Sequence, residues 1–93
     1  MTNNQTEISK DVVVVNELGM HARSAARISE IAKEARAKIW LQRNNERVDA
    51  RSIIDILTLA CEKGSTVTIV IEDPADVDAF NRIIRLFQNG FGE

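Results

Sequence analysis

The sequence contains few of the residue types on which several common functions depend. Its 93 residues include one cysteine, one histidine, one proline, one tryptophan and no tyrosine. Because Cys61 stands alone, it can form no internal disulfide and offers no metal-ligand pair. We expect a buried thiol at this position, and neither a metal nor a cofactor. With aromatic residues at only 4%, the chain has little surface for stacking on nucleic-acid bases.

Charge and hydropathy exclude further classes of function. A formal net charge of −2 and a pI near 5.4 argue against broad binding to nucleic acid or to a membrane surface, which needs a basic excess. The longest apolar run, Val12 to Val15, is too short to span a bilayer. Residues 1–10 lack the apolar core of a signal peptide. We therefore expect a cytoplasmic, monomeric protein with no membrane insertion.

The length predicts a single small domain, with residues 1–9 as a flexible N-terminal extension and residues 10–93 folded. Runs of β-branched and alternating residues predict four strands, at residues 12–15, 38–42, 47–49 and 66–71. Apolar residues at helical spacing predict three helices. They begin at residues 22, 52 and 74. The second runs to about Leu59 and stops by Gly64, and the third ends before Gly90.

The apolar face of each predicted helix indicates how it packs. In the first helix the face consists of Ala25, Ile28, Ala32 and Ala35, and in the third it consists of Val77, Phe80, Ile84 and Phe87. The element order β-α-β-β-α-β-α predicts an α+β fold. We expect a two-layer open-faced β-sandwich, in which the three helices cover one face of a four-stranded antiparallel sheet.

The single histidine, His21, lies where the first helix begins. Gly19 permits a tight turn just before it, which leaves the imidazole at the helix start instead of inside the helix. The amides of the first helical turn lack helical partners and point toward any anion held by that ring; they belong to Ala22, Arg23 and Ser24. The Arg23 guanidinium adds donors suited to phosphate oxygens, so these residues favour a transient phosphoryl group on His21.

The segment Gly19-Met20-His21-Ala22-Arg23 resembles the site motif of HPr, the histidine-containing phosphocarrier family of the bacterial phosphotransferase system. In that family a glycine and an apolar residue precede His-Ala-Arg, and Pro-Ala usually follows. Ser24 stands where the family usually has proline. Serine restores an N–H donor and adds a hydroxyl near the site. The resemblance extends over about residues 10–93, since the family has the same element order.

The resemblance implies a phosphoryl carrier and not an autonomous enzyme. His21 would receive the phosphoryl group on Nδ1 from the phosphoenolpyruvate-dependent Enzyme I and pass it to an EIIA-type acceptor, with Arg23 steadying the phosphate. The family's docking face for partner enzymes corresponds here to Met20, Arg27, Ile53, Ile54 and Leu57. Basic residues of the first helix, including Lys33, would form a positive rim for acidic partners.

Ser52 is a second candidate for modification. In the quartet Ser52-Ile53-Ile54-Asp55 it has the form of a helix N-cap, which by itself explains a serine there. The resemblance adds regulatory phosphorylation by an HPr kinase/phosphorylase, because Arg51-Ser52-Ile53 aligns with the family's Lys-Ser-Ile/Leu segment. Asp55 departs from the glycine that members regulated in this way often carry.

Other classes of function fit parts of the sequence. A small-molecule-sensing regulatory domain of the ferredoxin-like or ACT type has a similar element order, although it needs no histidine at a helix start. A phosphopantetheine carrier would explain Ser52 before two isoleucines, but that family is all-helical and strongly acidic. Within the phosphocarrier reading, sugar uptake and a nitrogen- or carbon-regulatory relay both remain open.

Overall fold

The computed structural model describes residues 7–93. The strands are β1 (Ile8–Val13), β2 (Ile39–Arg43), β3 (Glu46–Asp49) and β4 (Thr66–Ile71), and the helices are α1 (Ala22–Ala32), α2 (Ile53–Thr58) and α3 (Val77–Gln88). All neighbouring strands are antiparallel, in the order β1-β4-β2-β3. The predicted open-faced α+β sandwich is confirmed. Among residues 7–93, no helix is long and apolar enough to cross a membrane.

Strand β1 begins earlier than the sequence predicts. Ile8 pairs with Ile71 and Ser9 with Val70 of β4, so residues 8 and 9 belong to the sheet and not to the extension expected at residues 1–9. Backbone groups of β4 are the hydrogen-bond partners of these residues, and a pattern of side chains cannot reveal such pairing. The remainder of that expected extension, residues 1–6, lies outside the described residues.

The core lies between one face of the sheet and the three helices. Alternate residues of the central strands are fully buried on this face; they are Ile39, Leu41, Val67, Ile69 and Ile71. Ile28 of α1, Ile56 of α2, and Ile83 and Phe87 of α3 are also fully buried in the same cluster. This packing fixes the N-terminus of α1 relative to the sheet.

Helix α2 ends at Thr58 with Leu59 as its C-cap, as predicted to within one residue, and Ala60 then takes a left-handed φ of 52°. Two other helix predictions need correction. Helix α1 ends at Ala32, before Ala35. Val77 is 45% exposed, since a 3₁₀ turn precedes α3 and rotates its first residue toward solvent. The buried face of α3 is instead formed by Ala79, Phe80, Ile83, Ile84 and Phe87.

Asp76 has a role that the sequence analysis did not foresee. It is the N-cap of α3 and is only 4% exposed. Its carboxylate accepts hydrogen bonds from the backbone N–H groups of Arg36 (2.7 Å) and Ala37 (2.9 Å). The carboxylate therefore satisfies two donors in the loop between α1 and β2.

Candidate functional site

A tight turn between β1 and α1 positions the histidine. The Asn16 carbonyl oxygen accepts a hydrogen bond from the Gly19 N–H (3.1 Å), and the Asn16 side-chain amide donates to the Gly19 carbonyl oxygen (2.7 Å). The Met20 N–H donates to the Cys61 carbonyl oxygen at 2.8 Å. Gly19 has a φ of 66°, in the left-handed region that favours glycine. The turn predicted at Gly19 is thus held against the segment that follows α2.

We expect Gly19→Ala to lower the free energy of unfolding by about 1–3 kcal/mol from the strained backbone alone. A Cβ atom at Gly19 would lie 2.7 Å from the Cys61 carbonyl oxygen, so the turn must also shift. Gly64→Ala is the matched control, because Gly64 has a φ of 94° but open space where the methyl group would lie. Urea denaturation of both variants checks this prediction. Equal losses in the two would contradict the close approach.

His21 is the N-cap of α1. Its backbone is extended, with a φ of −137° and a ψ of −177°, and its side chain is 30% exposed. Ring atom Nδ1 accepts a hydrogen bond from the Arg23 N–H at 3.3 Å. The imidazole therefore lies beside the amides of the first turn, which have no partners within the helix, and it is partly open to solvent, where a helix favours an anion.

Ser24 is completely buried beneath His21. Its hydroxyl oxygen accepts from the His21 N–H at 3.0 Å, and the hydroxyl proton has the His21 carbonyl oxygen (3.0 Å) and Met20 Sδ (3.4 Å) as acceptors in reach. The hydroxyl that replaces the usual proline thus fixes the backbone of His21 and does not face solvent. Its effect on chemistry at the ring is indirect.

Arg23 and Arg27 are both exposed but have different surroundings. Within residues 7–93, the Arg23 side chain has no hydrogen-bond or ion-pair partner, so its guanidinium is available to an anion beside His21. Arg27 donates from Nη1 to the Phe91 carbonyl oxygen at 2.7 Å. Arg27 therefore anchors the segment after α3 in addition to any contact it makes with a partner.

Glu93 and Asn16 are site residues that the sequence analysis missed. Glu93 Oε2 lies 2.5 Å from His21 Nε2, and Glu93 Oε1 accepts from the Asn16 side-chain amide at 3.0 Å. The hydrogen bond from Asn16 lowers the pKa of Glu93, and the hydrogen bond and charge of His21 and the charge of Arg23 lower it further, against desolvation. A separation of 72 residues left no local spacing signal for this contact.

The other reactive candidate, Cys61, is buried as expected, at 4% exposure. Burial raises the pKa of its thiol, although the nearby Arg43 acts in the opposite direction. A thiol kept protonated in this way is a weak nucleophile. Across residues 7–93 no cluster of histidine, cysteine, aspartate and glutamate side chains has the arrangement of a metal site. His21 is accordingly the strongest nucleophile that the described site presents.

The residues assigned to docking are exposed to different degrees. On α2, Ile54 is 73% exposed and Ile53 and Leu57 are each 36% exposed. Met20 is half-buried and packs against the core, whereas its neighbour Leu18 is 74% exposed. Leu18 was not among the predicted docking residues. An apolar surface of this kind beside basic side chains is typical of a transient interface.

Ser52 is the N-cap of α2, as predicted. Its hydroxyl oxygen accepts from the Asp55 N–H at 3.1 Å. The Ser52 N–H donates to the Asp49 carbonyl oxygen and not to the Asp55 side chain. Ser52 is half-buried. It lies at the start of α2, whereas His21 lies at the start of α1.

Comparisons with known proteins identify the family. Residues 8–89 match the family model described as the PTS HPr component phosphorylation site. The chain belongs to the HPr family. It is 43% identical to the phosphocarrier protein HPr of Treponema pallidum over 86 residues, which cover 92% of this chain and 98% of that protein. It is 34% identical to the phosphocarrier protein NPr of Escherichia coli K12 over 88 residues, which cover 92% and 97%.

The three-dimensional comparison agrees with this assignment. The structure of HPr-C-His from Thermoanaerobacter tengcongensis superposes with a TM-score of 0.83 at 29% identity, covering 92% of this chain and 97% of that one. As a member of the HPr family, the protein is a phosphocarrier of the phosphotransferase system and not an autonomous enzyme. The sensing-domain and phosphopantetheine alternatives are therefore set aside.

Proposed function

We infer that His21 of this HPr-family protein accepts a phosphoryl group on Nδ1 from the phosphoenolpyruvate-dependent Enzyme I and passes it to an EIIA-type acceptor in the cytoplasm. The observation that carries this proposal is the position of Nδ1, 3.3 Å from the Arg23 N–H at the start of α1. The ring and the amides of the first turn meet at one partly exposed point, and the exposed Arg23 begins on the same turn. A monomer suffices for this role, since the site is built from one chain.

The chemistry follows from the properties of imidazole. A neutral ring is a competent nucleophile near neutral pH. As Nδ1 attacks phosphorus, the bond from phosphorus to the donor breaks and the donor retains that electron pair. The helix N-terminus then favours the bound anion by roughly 0.3–1 kcal/mol, and Arg23 adds charge-assisted hydrogen bonds. This modest stabilisation suits a carrier, because a tightly held phosphoryl group would not be passed on.

Incubation with Enzyme I and phosphoenolpyruvate tests the proposed function. We expect the wild-type protein to gain one phosphoryl group that is labile in acid and stable in alkali, as a phosphoramidate is. Onward transfer is then measured to an EIIA protein of sugar uptake and to one of the regulatory branch, and the faster transfer identifies the acceptor. Absence of any adduct in the folded protein would contradict the proposal.

For docking, we propose that the exposed apolar residues of α2, with Met20 and the basic side chains of α1, contact Enzyme I and the acceptor. Ile54 is the best residue to test, because it is 73% exposed and its replacement leaves the core intact. We expect Ile54→Ser to raise the KM of Enzyme I for this carrier about fivefold or more, the effect of losing an apolar anchor.

Val77→Ser is the matched control for Ile54→Ser. Val77 is an exposed β-branched residue of α3, at 45% exposure, and it lies outside the proposed docking face. Steady-state kinetics with Enzyme I should give an unchanged KM for this variant. If both substitutions changed the KM equally, or if neither did, the assignment of the docking face would be wrong.

For Ser52, we propose phosphorylation by an HPr kinase/phosphorylase. A phosphate at this N-cap would meet the first amides of α2, so the helix need not unfold, and its charge would repel acidic partner surfaces. Asp55 donates its N–H to the Ser52 hydroxyl oxygen and brings a carboxylate close to the same point, which opposes the modification. Intact-mass analysis after incubation with the kinase and ATP is expected to show one phosphoryl group in wild type and none in Ser52→Ala. An unmodified wild-type protein would leave Ser52 as a cap only.

A further inference from the structure

The carboxylate of Glu93 lies at the opposite edge of the His21 ring from the helix amides. Oε2 is 2.5 Å from His21 Nε2, and Oε1 accepts from the Asn16 side chain at 3.0 Å. The Glu93 side chain is 19% exposed, and Asn16 is 5% exposed. Both oxygens of the carboxylate are therefore engaged, which is unusual for a glutamate at a surface.

The backbone delivers Glu93 to this position through several contacts. Residues Gly90–Gly92 form a 3₁₀ turn, and within it Phe91 is 3% exposed. The Phe91 ring packs edge-on against Phe87 with centroids 5.0 Å apart, and its carbonyl oxygen accepts from Arg27 of α1 at 2.7 Å. The Glu93 N–H closes the turn on the Gly90 carbonyl oxygen. The segment is anchored to the core and to the helix that carries His21.

This arrangement decides which ring nitrogen carries the proton. An ionised carboxylate only accepts hydrogen bonds, so Nε2 must be the donor in the contact with Glu93. In the neutral ring the lone pair is then on Nδ1, which accepts from the Arg23 N–H. The two edges of the ring thus demand the same tautomer.

We propose that Glu93 is a positioning residue that keeps the Nε2 proton in place and so presents the Nδ1 lone pair for phosphoryl transfer; this rests on the proposed function of His21. When Nδ1 bonds to phosphorus, the donor's bond to phosphorus breaks, the donor keeps that electron pair, and Nε2 keeps its proton. The ring then carries positive charge, which the Glu93 carboxylate stabilises as a carboxylate stabilises the imidazolium of a catalytic triad. In onward transfer the acceptor forms a bond to phosphorus, and the ring leaves as the neutral Nε2–H tautomer.

The same carboxylate also repels an incoming phosphoryl group, and the two effects have opposite signs. The carboxylate orients the ring and stabilises its positive charge directly at Nε2. Its repulsion of the phosphoryl group acts across the ring and is reduced by the positive charge of Arg23 and by the helix amides. We expect the stabilisation at Nε2 to dominate. The sign of the rate change on removing Glu93 therefore separates the two.

The experiment combines two measurements on wild type, Glu93→Ala and Glu93→Gln. Nitrogen NMR of the neutral His21 ring reports its tautomer without any phosphoryl transfer. Rapid-quench kinetics with phosphorylated Enzyme I then gives the second-order rate of transfer. Glu17→Ala is the matched control, since Glu17 is a glutamate of the β1–α1 turn that pairs with Lys63 and not with His21.

We expect Glu93→Ala to increase the population with a proton on Nδ1 and to slow transfer about fivefold, the effect of one hydrogen bond. Glu93→Gln keeps a neutral hydrogen-bond acceptor, so its tautomer population and transfer rate should lie between those of wild type and Glu93→Ala. Glu17→Ala should match wild type in both measurements. An unchanged tautomer in Glu93→Ala, or a rate that stays equal or rises, would overturn the proposal. If wild type instead acquired no phosphoryl group, the proposed function would fail, whereas the tautomer measurement would still report on the contact.

Discussion

We expect His21→Ala to abolish phosphorylation by Enzyme I and phosphoenolpyruvate completely. His21 is the single histidine of the chain, and alanine offers no nucleophile in its place. The remaining candidate thiol, Cys61, is buried and its pKa is raised by that burial. Intact-mass analysis after incubation should therefore show the unmodified mass for this variant and one phosphoryl group for wild type.

The His21→Ala variant also loses an N-cap, which lowers the free energy of unfolding by about 0.5–2 kcal/mol. Ser52→Ala is the matched control, because it removes the N-cap of α2 at a comparable loss of stability and leaves His21 intact. We expect Ser52→Ala to be phosphorylated by Enzyme I like wild type. A phosphoryl group on folded His21→Ala would place the acceptor elsewhere, and loss in both variants would trace the effect to stability.

Phe87→Ala is expected to lower the free energy of unfolding by about 3–5 kcal/mol, the usual result of truncating a buried phenylalanine. Phe87 is completely buried between α3 and the sheet and packs edge-on against Phe91. The total free energy of unfolding of a domain is about 5–15 kcal/mol. The variant should therefore unfold at a much lower denaturant concentration than wild type. Urea denaturation followed by circular dichroism measures the change.

Val77→Ala tests the same helix at an exposed position. The sequence pattern placed Val77 on the apolar face with Phe87, whereas the structure leaves it 45% exposed. We expect this variant to change the free energy of unfolding by less than about 0.5 kcal/mol. Similar losses for Val77→Ala and Phe87→Ala would contradict the orientation of α3 described above.

Local features of the sequence predicted most of the fold. The bounds of β4, the presence of β2 and β3, and the cap at Ser52 depend on residues within a few positions of one another, which a pattern can show. The position of His21 as the first cap of α1 follows from the same short-range logic.

Long-range contacts could not be predicted in this way. Glu93 reaches His21 only because Phe91 is packed in the core and Arg27 holds its carbonyl oxygen. Asp76 accepts from amides some 40 residues away, after α1. In both cases a carboxylate meets its partners through tertiary packing, which fixes positions that composition, spacing and periodicity leave free.

The most direct test of the account is to identify the atom that carries the phosphoryl group. Nitrogen-labelled protein is phosphorylated with Enzyme I and phosphoenolpyruvate, and the coupling between phosphorus and each His21 ring nitrogen is measured by NMR. We expect phosphorus on Nδ1, with the proton retained on Nε2 beside Glu93. Phosphorus bonded to Nε2, or to a side chain other than His21, would contradict it.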